Sequence, residues 1–304
     1  MSLEQLTFKS HFGINDKTHV EFINIPLEED LTAFICPFLI ANNKEIPLVR
    51  EIYAQITSFL KNLNKGFIVT NNRLGGLSFL SHLHEPNEYH LGYSGRNRGK
   101  AIAGLKAEII FAALRNNRFA KKGISITNEA HNVLLLVEGI GQDIMSDTIA
   151  NVSRDILAEF TEQQCLLHKI QTFATNIEYY NPINGLWSNK TYNLPYYKGK
   201  QIILLPKKIV SGSRAYTNHY NYFVTSNHIA VEILNNKIEV PKETKLVSKL
   251  KDGTKKAIMK QIYKTYKKPK SQLIDFVLKY QGSLQEFLDY AKDHYPELEV
   301  ETLI

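Results

Sequence analysis

The spacing of apolar residues along the chain predicts several amphipathic helices. In residues 46–63, IPLVREIYAQITSFLKNL, the apolar positions recur at steps of three and four residues, which is the period of one helix face. The same pattern predicts helices at residues 100–116, 147–169, 271–280 and 283–295. The buried side expected for the second of these helices consists of Ile102, Leu105, Ile109, Ile110 and Leu114.

Two uninterrupted apolar runs predict buried strands instead. Residues 131–139, HNVLLLVEG, hold five consecutive apolar residues between Asn and Gly, and residues 202–205 of KQIILLPKKIV form a second run that ends near Pro206. Residues 7–40 and 66–72 predict short strands, and residues 178–200 predict a long loop. We therefore expect an α/β protein, with α+β as the alternative, in which helices flank a central mixed sheet with a nuclease-like core.

Composition is that of a globular protein with a substantial core. The chain has 304 residues, of which 43% are apolar, so one large or two modest domains are expected. Cys36 and Cys165 have neither the number nor the neighbours of a disulfide framework or a zinc site. No secretory signal is evident, and the longest apolar stretch, residues 31–41, contains Pro37 and is too short to span a bilayer. A soluble, cytoplasmic protein is expected.

Positive charge is concentrated near the C-terminus. The net charge is +7, and residues 245–270 contain ten lysines but one acid, Asp252. Such a region favours a polyanionic partner such as DNA or RNA, although a solvated lysine face is the alternative. We expect an α/β core domain at 1–240 and a basic helical region at 241–304 packed on it. Nucleic-acid contacts are expected from Lys256, Lys260 and Lys264, which with Lys249 recur on one face of the predicted helix.

A glycine-rich loop at residues 92–104 precedes the second predicted helix. It is not a Walker loop, because Ser94 stands where the first glycine belongs and Ala101 follows Lys100 in place of Ser or Thr. Arg96, Arg98 and Lys100 suit phosphate contact at a helix N-terminus. A solvated loop is the alternative interpretation.

The stretch EGIGQDIMSD, residues 138–147, is the main catalytic candidate. At the end of a buried strand, Asp143 and Asp147 would bind Mg²⁺ (or Mn²⁺), which takes only one or two protein carboxylates, and Glu138 or Glu159 would be a further acid. The polar positions Asn151, Asp155 and Glu159 continue the same predicted helix face. The alternative is that Ser146 or Asp147 caps the helix and the other acids complement its dipole.

A nuclease of the PD-(D/E)XK type also needs a lysine, and no Glu-x-Lys occurs on a predicted buried strand. Lys207 or Lys208 of LLPKKIV is the candidate. The TOPRIM fold is disfavoured, since LLLVEG is similar to its first strand but the chain lacks Asp-x-Asp. The nearby histidines and acids, His82, His84, His90, Glu85 and Glu88, match no zinc spacing and are expected to be ordinary polar residues.

Three stretches carry a family resemblance. Three segments in this order resemble an uncharacterised group of bacterial proteins associated with mobile elements and phage-defence loci, and the group resembles PD-(D/E)XK nucleases: EPNEYHLGYSGRNRGKAIAG (85–104), EGIGQDIMSDTIANVSRDILAEFTEQQC (138–165) and LLPKKIV (204–210). The resemblance implies a bacterial, cytosolic defence effector or one subunit of a defence complex. It implies no established reaction.

Together these observations predict a magnesium-dependent nuclease that cleaves DNA or RNA in anti-phage defence. The alternative is a non-catalytic nucleic-acid-binding or sensor subunit that uses the same basic surfaces. A third possibility is an enzyme that modifies nucleotides at the glycine loop. The expected partners are nucleic acid and a second defence protein or further copies of the chain, without a membrane.

Overall fold

The computed structural model describes residues 5–92, 103–238, 240 and 245–299 of the chain. Helices make up most of the regular structure in these ranges. They are α1 (Phe8–His11), α2 (Pro37–Asn42), α3 (Pro47–Leu63), α4 (Arg73–Leu80), α5 (Ala103–Asn116), α6 (Arg118–Lys121), α7 (Ala130–Leu136), α8 (Gln142–Val152), α9 (Arg154–Leu167), α10 (Tyr216–Val224), α11 (Ala230–Leu234), α12 (Met259–Tyr266), α13 (Leu273–Lys279) and α14 (Ser283–His294).

The strands of the described ranges pair only two by two, all antiparallel. They are β1 (Phe34–Ile35) with β6 (Val210–Ser211), β2 (Phe173–Asn181) with β3 (Leu186–Leu194), β4 (Tyr196–Tyr197) with β5 (Lys200–Gln201), and β7 (Val247–Lys249) with β8 (Lys255–Ala257). The described residues therefore contain no central mixed sheet, and that expectation is wrong for them. The mixture of helices with small sheets corresponds to the α+β alternative.

The best predicted strand, HNVLLLVEG, is helix α7. Every residue from Ala130 to Leu136 is buried, and the helix packs against α2, α3, α8 and α10. A helix that is enclosed on all sides needs no polar face, so residues 133–136 form an unbroken apolar run like that of a buried strand. The run therefore predicted burial correctly and the secondary structure wrongly.

The second predicted strand is buried and extended but belongs to no sheet along most of its length. Residues 202–205 are almost completely inaccessible. Their amides bond to three separate partners: Ile202 to the carbonyl of Pro195, Ile203 to that of Glu88, and Leu204 to the Thr161 hydroxyl. Because these partners satisfy the backbone one at a time, the segment crosses the core without a neighbouring strand.

The predicted loop at 178–200 is largely the β2–β3 hairpin. Its register runs from Phe173 opposite Leu194 to Asn181 opposite Leu186. Residues 182–185 form its turn, which ends with Asn184 and Gly185, and Gly185 has a φ of +72°. Asn-Gly is a strong hairpin signal, but the polar composition of the surrounding residues favours the prediction of a loop. The short strand expected at 66–72 is also wrong, because Asn64–Ile68 continues α3 as a π-helical turn.

The periodic helices are confirmed in outline. Helix α3 matches its prediction closely, and α5, α13 and α14 lie where they were expected. The inward face predicted for α5 is partly wrong: Leu105 and Ile109 are exposed, and the buried side is formed by Ala107, Ile110, Phe111 and Leu114. The helix expected over 147–169 begins earlier and is broken into α8 and α9 at Ser153.

The basic region starts as a hairpin and not as a helix. Lys249 and Lys256 lie on β7 and β8, and only Lys260 and Lys264 lie on a helix, α12. Helix α14 contacts the rest of the protein through the Asn42 amide, which donates to the carbonyl of Leu288. The predicted domain boundary at residue 240 stays a prediction.

Two smaller expectations concern cysteines and membrane spans. Cys36 and Cys165 are buried, free thiols. Among the described residues, no helix combines the length and apolar character that crossing a bilayer requires.

Candidate functional site

Helix α8 carries most of EGIGQDIMSD and directs its polar residues to two sides. Gly141 is the N-cap, so the interpretation that Ser146 or Asp147 caps the helix is wrong. Gln142 and Ser146 point inward and hold backbone: Gln142 bonds to residues of the 211–214 segment, and the Ser146 hydroxyl accepts the amide of Ile35. These bonds hold the helix in place. Asp143 and Asp147, one turn apart, lie on another face of the helix.

Asp147 forms an ion pair with a lysine from a distant helix. The Nζ of Lys106, on α5, lies 2.5 Å from Oδ2 of Asp147 and 3.3 Å from Oε2 of Glu85. The Lys106 side chain is only 14% exposed, and that of Asp147 is 21% exposed. We call these three residues, Lys106, Asp147 and Glu85, the Lys106 site.

Glu85 reaches this position because Asn151 fixes the preceding residue. The Asn151 amide nitrogen donates to the carbonyls of His84 and Asp147, both at 2.8 Å, and its oxygen accepts the His84 amide at 3.1 Å. Asn151 is 1% exposed, so these bonds satisfy a buried group. One side chain thus connects the loop that carries Glu85 to the helix turn that carries Asp147.

A buried ion pair holds the same loop a few residues later. Arg154 contacts Glu88 at 2.9 Å, with both side chains about nine-tenths buried, and also donates to the Asn151 oxygen at 2.8 Å. Although burial alone would lower the pKa of the Arg154 guanidinium, Glu88 raises it. The Tyr89 hydroxyl donates to the carbonyl of Ala150. Residues 84–89 are therefore held rigidly against α8.

Two histidines of this loop share a carboxylate from the β2–β3 hairpin. His82 Nδ1 lies 3.0 Å from one oxygen of Glu178, and His84 Nε2 lies 3.3 Å from the other. His82 also stacks on Trp187, with ring centroids 5.0 Å apart. Imidazole is the commonest general acid or base in enzymes, so half-exposed His84 adds proton-transfer capacity next to Glu85 in the chain.

The electrostatic surroundings of Asp147 favour its protonated form more than water does. Burial raises the pKa of Asp147 to about 6, the nearby charges of Glu85 and Asp143 act in the same direction, and Lys106 opposes them. A further cation near Asp147 would lower that pKa again. The site therefore has an excess of negative charge, since the carboxylates of Asp147 and Glu85 both contact one ammonium group and the charge of Asp143 acts on Asp147 as well.

Glu138 lies apart from the Lys106 site. It follows the end of α7 and is exposed. With Asn116, Asn117, Gln272 and Asp275 it lines a cleft of about 640 Å³ between α5 and α13. It contacts neither Lys106 nor Asp147.

Glu159 and the two lysines after Pro206 are also elsewhere. The polar stripe that was to connect Asp147 to Glu159 is interrupted at Ser153, and exposed Glu159 lies near Lys190 of the hairpin. The backbone amide of Lys207 bonds to the carbonyl of Glu21, and Lys208 pairs with Glu297 at 2.5 Å. The structure brings neither lysine to the acids of α8, and a catalytic role for Glu159 or Lys207 stays a prediction.

The predicted phosphate contacts have different outcomes. Arg96, Arg98 and Lys100 lie outside the described residues. Lys256, Lys260 and Lys264 are exposed, as a nucleic-acid contact requires.

A metal ion at the Lys106 site would have few ligands from the protein. The described residues contain no group of three or more His, Cys, Asp or Glu side chains arranged to hold a metal. Mg²⁺ nevertheless keeps several waters and needs only one or two carboxylates. Asp147 and Glu85, both within 3.3 Å of the same ammonium nitrogen, provide two carboxylates close together.

Glu85 and Lys106 were not identified as site residues from the sequence. The spacing of Glu85 and the neighbouring histidines matches no zinc motif, so the sequence predicts ordinary polar residues at these positions. Lys106 had a detectable signal, since it precedes Ile110 and Leu114 by four and eight residues and so lies near the stripe that is buried in α5. A lysine on an otherwise buried stripe requires a partner, which the sequence does not identify.

One model of a protein family covers much of the chain. The family described as Domain of unknown function (DUF8370) matches residues 13–218. This range includes the whole Lys106 site and ends inside α10, before the basic hairpin. No curated protein and no solved structure matches the chain.

Proposed function

Since the chain belongs to the DUF8370 family, a domain of unknown function, we propose its activity from the Lys106 site: hydrolysis of phosphodiester bonds in nucleic acid, dependent on Mg²⁺ or Mn²⁺. The observation that carries the proposal is the contact of Lys106 with both Asp147 and Glu85. Two carboxylates and a lysine are the groups that metal-dependent phosphodiester hydrolysis uses. The predicted setting in anti-phage defence is part of this proposal.

The residues of the site have separate roles in this chemistry. Asp147 and Glu85 would hold the cation, with Asp143 one turn away, and Lys106 would stabilise the negative charge that develops on the phosphate. A divalent cation supplies Lewis acidity toward the phosphate and lowers the pKa of water. In hydrolysis, a water oxygen bonds to phosphorus, one ester P–O bond breaks, and a proton from that water ends on the departing sugar oxygen.

The surrounding contacts support a site that is organised before substrate binds. Asn151 and the Arg154–Glu88 pair fix the loop of Glu85 on α8 without using the carboxylates of Glu85 or Asp147. Preorganised charges contribute more to catalysis than mobile ones because they need not be reoriented during the reaction. Within this frame both carboxylates contact Lys106, so a cation would share them with its ammonium group.

Cleavage of labelled oligonucleotides tests the proposal. With Mg²⁺ or Mn²⁺, we expect Asp147→Asn, Glu85→Gln and Lys106→Met each to reduce the rate by about 10²-fold or more, as for the loss of one transition-state contact. Two exposed positions provide matched controls, Asp289→Asn on α14 and Lys61→Met on α3. Equal rates for Asp147→Asn and Asp289→Asn would refute the assignment.

A second candidate function is a binding subunit without catalytic activity. It is favoured by the ion pair itself, because Lys106 already neutralises part of the charge of Asp147 and Glu85 without a metal. This candidate predicts nucleic-acid binding that weakens steeply with salt and is unchanged in Asp147→Asn, with no cleavage in any divalent cation.

A further inference from the structure

The basic hairpin and the helix after it form a surface of lysines that have no acidic partners among the described residues. We call Lys249, Lys251, Lys256, Lys260, Lys264 and Lys267 the basic surface; all six are exposed. No carboxylate of the described residues forms an ion pair with any of them, whereas Lys268 and Lys279 nearby are paired with Asp275 and Glu232. Uncompensated lysines in this number attract a polyanion.

The single acid within residues 245–270 does not neutralise this charge. A carboxylate oxygen of Asp252 accepts the Thr254 amide at 2.9 Å in the β7–β8 turn. That bond lowers the pKa of Asp252 and keeps the carboxylate within the turn. The acid therefore shapes the hairpin, and the positive potential of the surrounding lysines remains available to a ligand.

Two tyrosine rings accompany the lysines. Tyr263 of α12 and Tyr222 of α10 have ring centroids 6.1 Å apart, and Tyr222 is 51% exposed. Lys260 and Lys267 are one helical turn before and after Tyr263, and the Lys267 ammonium lies 5.8 Å from its ring. Aromatic faces between lysines allow bases to stack while the ammonium groups contact phosphates.

We infer that the basic surface binds single-stranded nucleic acid, with unpaired bases stacking on Tyr222 and Tyr263. This inference deepens the proposed function and rests on it for the choice of nucleic acid as ligand. A duplex has its base faces occupied by neighbouring bases, so aromatic rings gain nothing from it, whereas a single strand leaves those faces free.

An anionic membrane is the other surface that lysines attract. Helix α12 is poorly suited to it, because Ile262 is completely buried in the protein and the helix has no free apolar face to insert. The combination of unpaired lysines with aromatic rings and without an apolar face favours nucleic acid.

Fluorescence anisotropy in EDTA, where metal-dependent cleavage is excluded, tests the inference on the full chain. The probes are a labelled DNA strand and an RNA strand of about 15 nucleotides, the corresponding duplexes, and vesicles of phosphatidylcholine with phosphatidylserine. We expect at least one single strand to bind more tightly than its duplex. Tyr222→Leu and Tyr263→Leu should each weaken single-strand binding by about 5- to 150-fold, from ~1–3 kcal/mol per stacked base, and leave duplex binding unchanged.

Conservative and matched variants separate stacking from folding defects. Tyr222→Phe and Tyr263→Phe should retain binding, and Tyr179→Leu on β2 is the control for loss of a tyrosine elsewhere. Lys256→Gln, Lys260→Gln and Lys264→Gln combined should weaken binding far more than Lys17→Gln, Lys61→Gln and Lys65→Gln combined, which change the charge equally.

Three results would overturn the inference: duplex binding as tight as single-strand binding, tyrosine variants that bind like the unmodified protein, or binding to vesicles alone. Its failure is distinguishable from that of the proposed function. Cleavage with Mg²⁺ that does not depend on Tyr222 and Tyr263 would support the proposed nuclease function and contradict the inference about the basic surface. Single-strand binding that depends on these tyrosines, without cleavage, would support the inference and contradict the proposed nuclease function.

Discussion

The proposed chemistry depends on Asp147, whose protonation would link activity to stability. Burial raises the pKa of Asp147 to about 6, from a value of 3.8 without the fold. The folded protein therefore retains a proton at Asp147 in a pH range where the unfolded chain has released it. The stability contributed by this group is complete below about pH 4 and is lost as the pH rises through about 6.

We therefore predict that Asp147→Asn, whose side chain does not ionise, becomes more stable relative to the unmodified protein as the pH rises from about 4 to 7. Urea unfolding at several pH values measures this difference in the free energy of unfolding. Asp289→Asn, which changes an exposed carboxylate, is the control. A difference that shrinks over the same range would mean that Lys106 outweighs burial and that the ionised carboxylate is the form preferred by the fold.

At the scale of elements, the site depends on the docking of the 84–89 loop on α8. Asn151 forms two bonds to the backbone of His84, one to that of Asp147 and one to Arg154. Neither the loop nor α8 alone brings Glu85 to Lys106. The position of Glu85 is therefore a product of this single buried amide and the adjacent Arg154–Glu88 pair.

Asn151→Leu should destabilise the protein by ~2–4 kcal/mol, because buried groups of His84 lose their partners. It should also reduce cleavage at temperatures where the protein stays folded, since Glu85 is no longer held beside Lys106. Thermal unfolding and cleavage rates measure the two effects. Asn176→Leu on exposed β2 is the control, with an expected change below about 0.5 kcal/mol. Full activity in folded Asn151→Leu would show that loop docking does not position the site.

The elements also show what the sequence could predict. The period of apolar residues predicts α3, α13 and α14 correctly because each of these helices has one solvent-exposed face. The same reasoning failed for α7, which is enclosed on every side, and for the β2–β3 hairpin, whose Asn-Gly turn was obscured by polar composition. The period of apolar residues reports which side chains are exposed. It indicates the secondary structure only where a helix or strand has an exposed face.

At the scale of the whole molecule, the candidate site combines residues that are far apart in the chain. Asp147 was identified from its local context, but its partners are separated from it by 41 residues at Lys106 and by 62 at Glu85. Local spacing carries no information about such contacts. The sequence suggests Lys207, near the second apparent strand, as the candidate lysine because a nuclease-like sheet is expected there. The described residues do not form such a sheet.

The whole molecule also keeps its two proposed functions in separate regions. The Lys106 site lies within the residues matched by the family, whereas the basic surface lies beyond them. The two proposed roles are therefore separable by mutation: changes at the Lys106 site should alter turnover, and changes at the basic surface should alter affinity.

Cation binding by the isolated protein tests the central claim most directly. Titration calorimetry with Mn²⁺ at about pH 7.5, above the pKa of Asp147, should detect one site per chain in the unmodified protein and in Asp289→Asn. Asp147→Asn should lose that site, and Lys106→Met should bind Mn²⁺ more tightly, because the competing ammonium group is gone. Equal Mn²⁺ binding by Asp147→Asn and the unmodified protein would contradict the account.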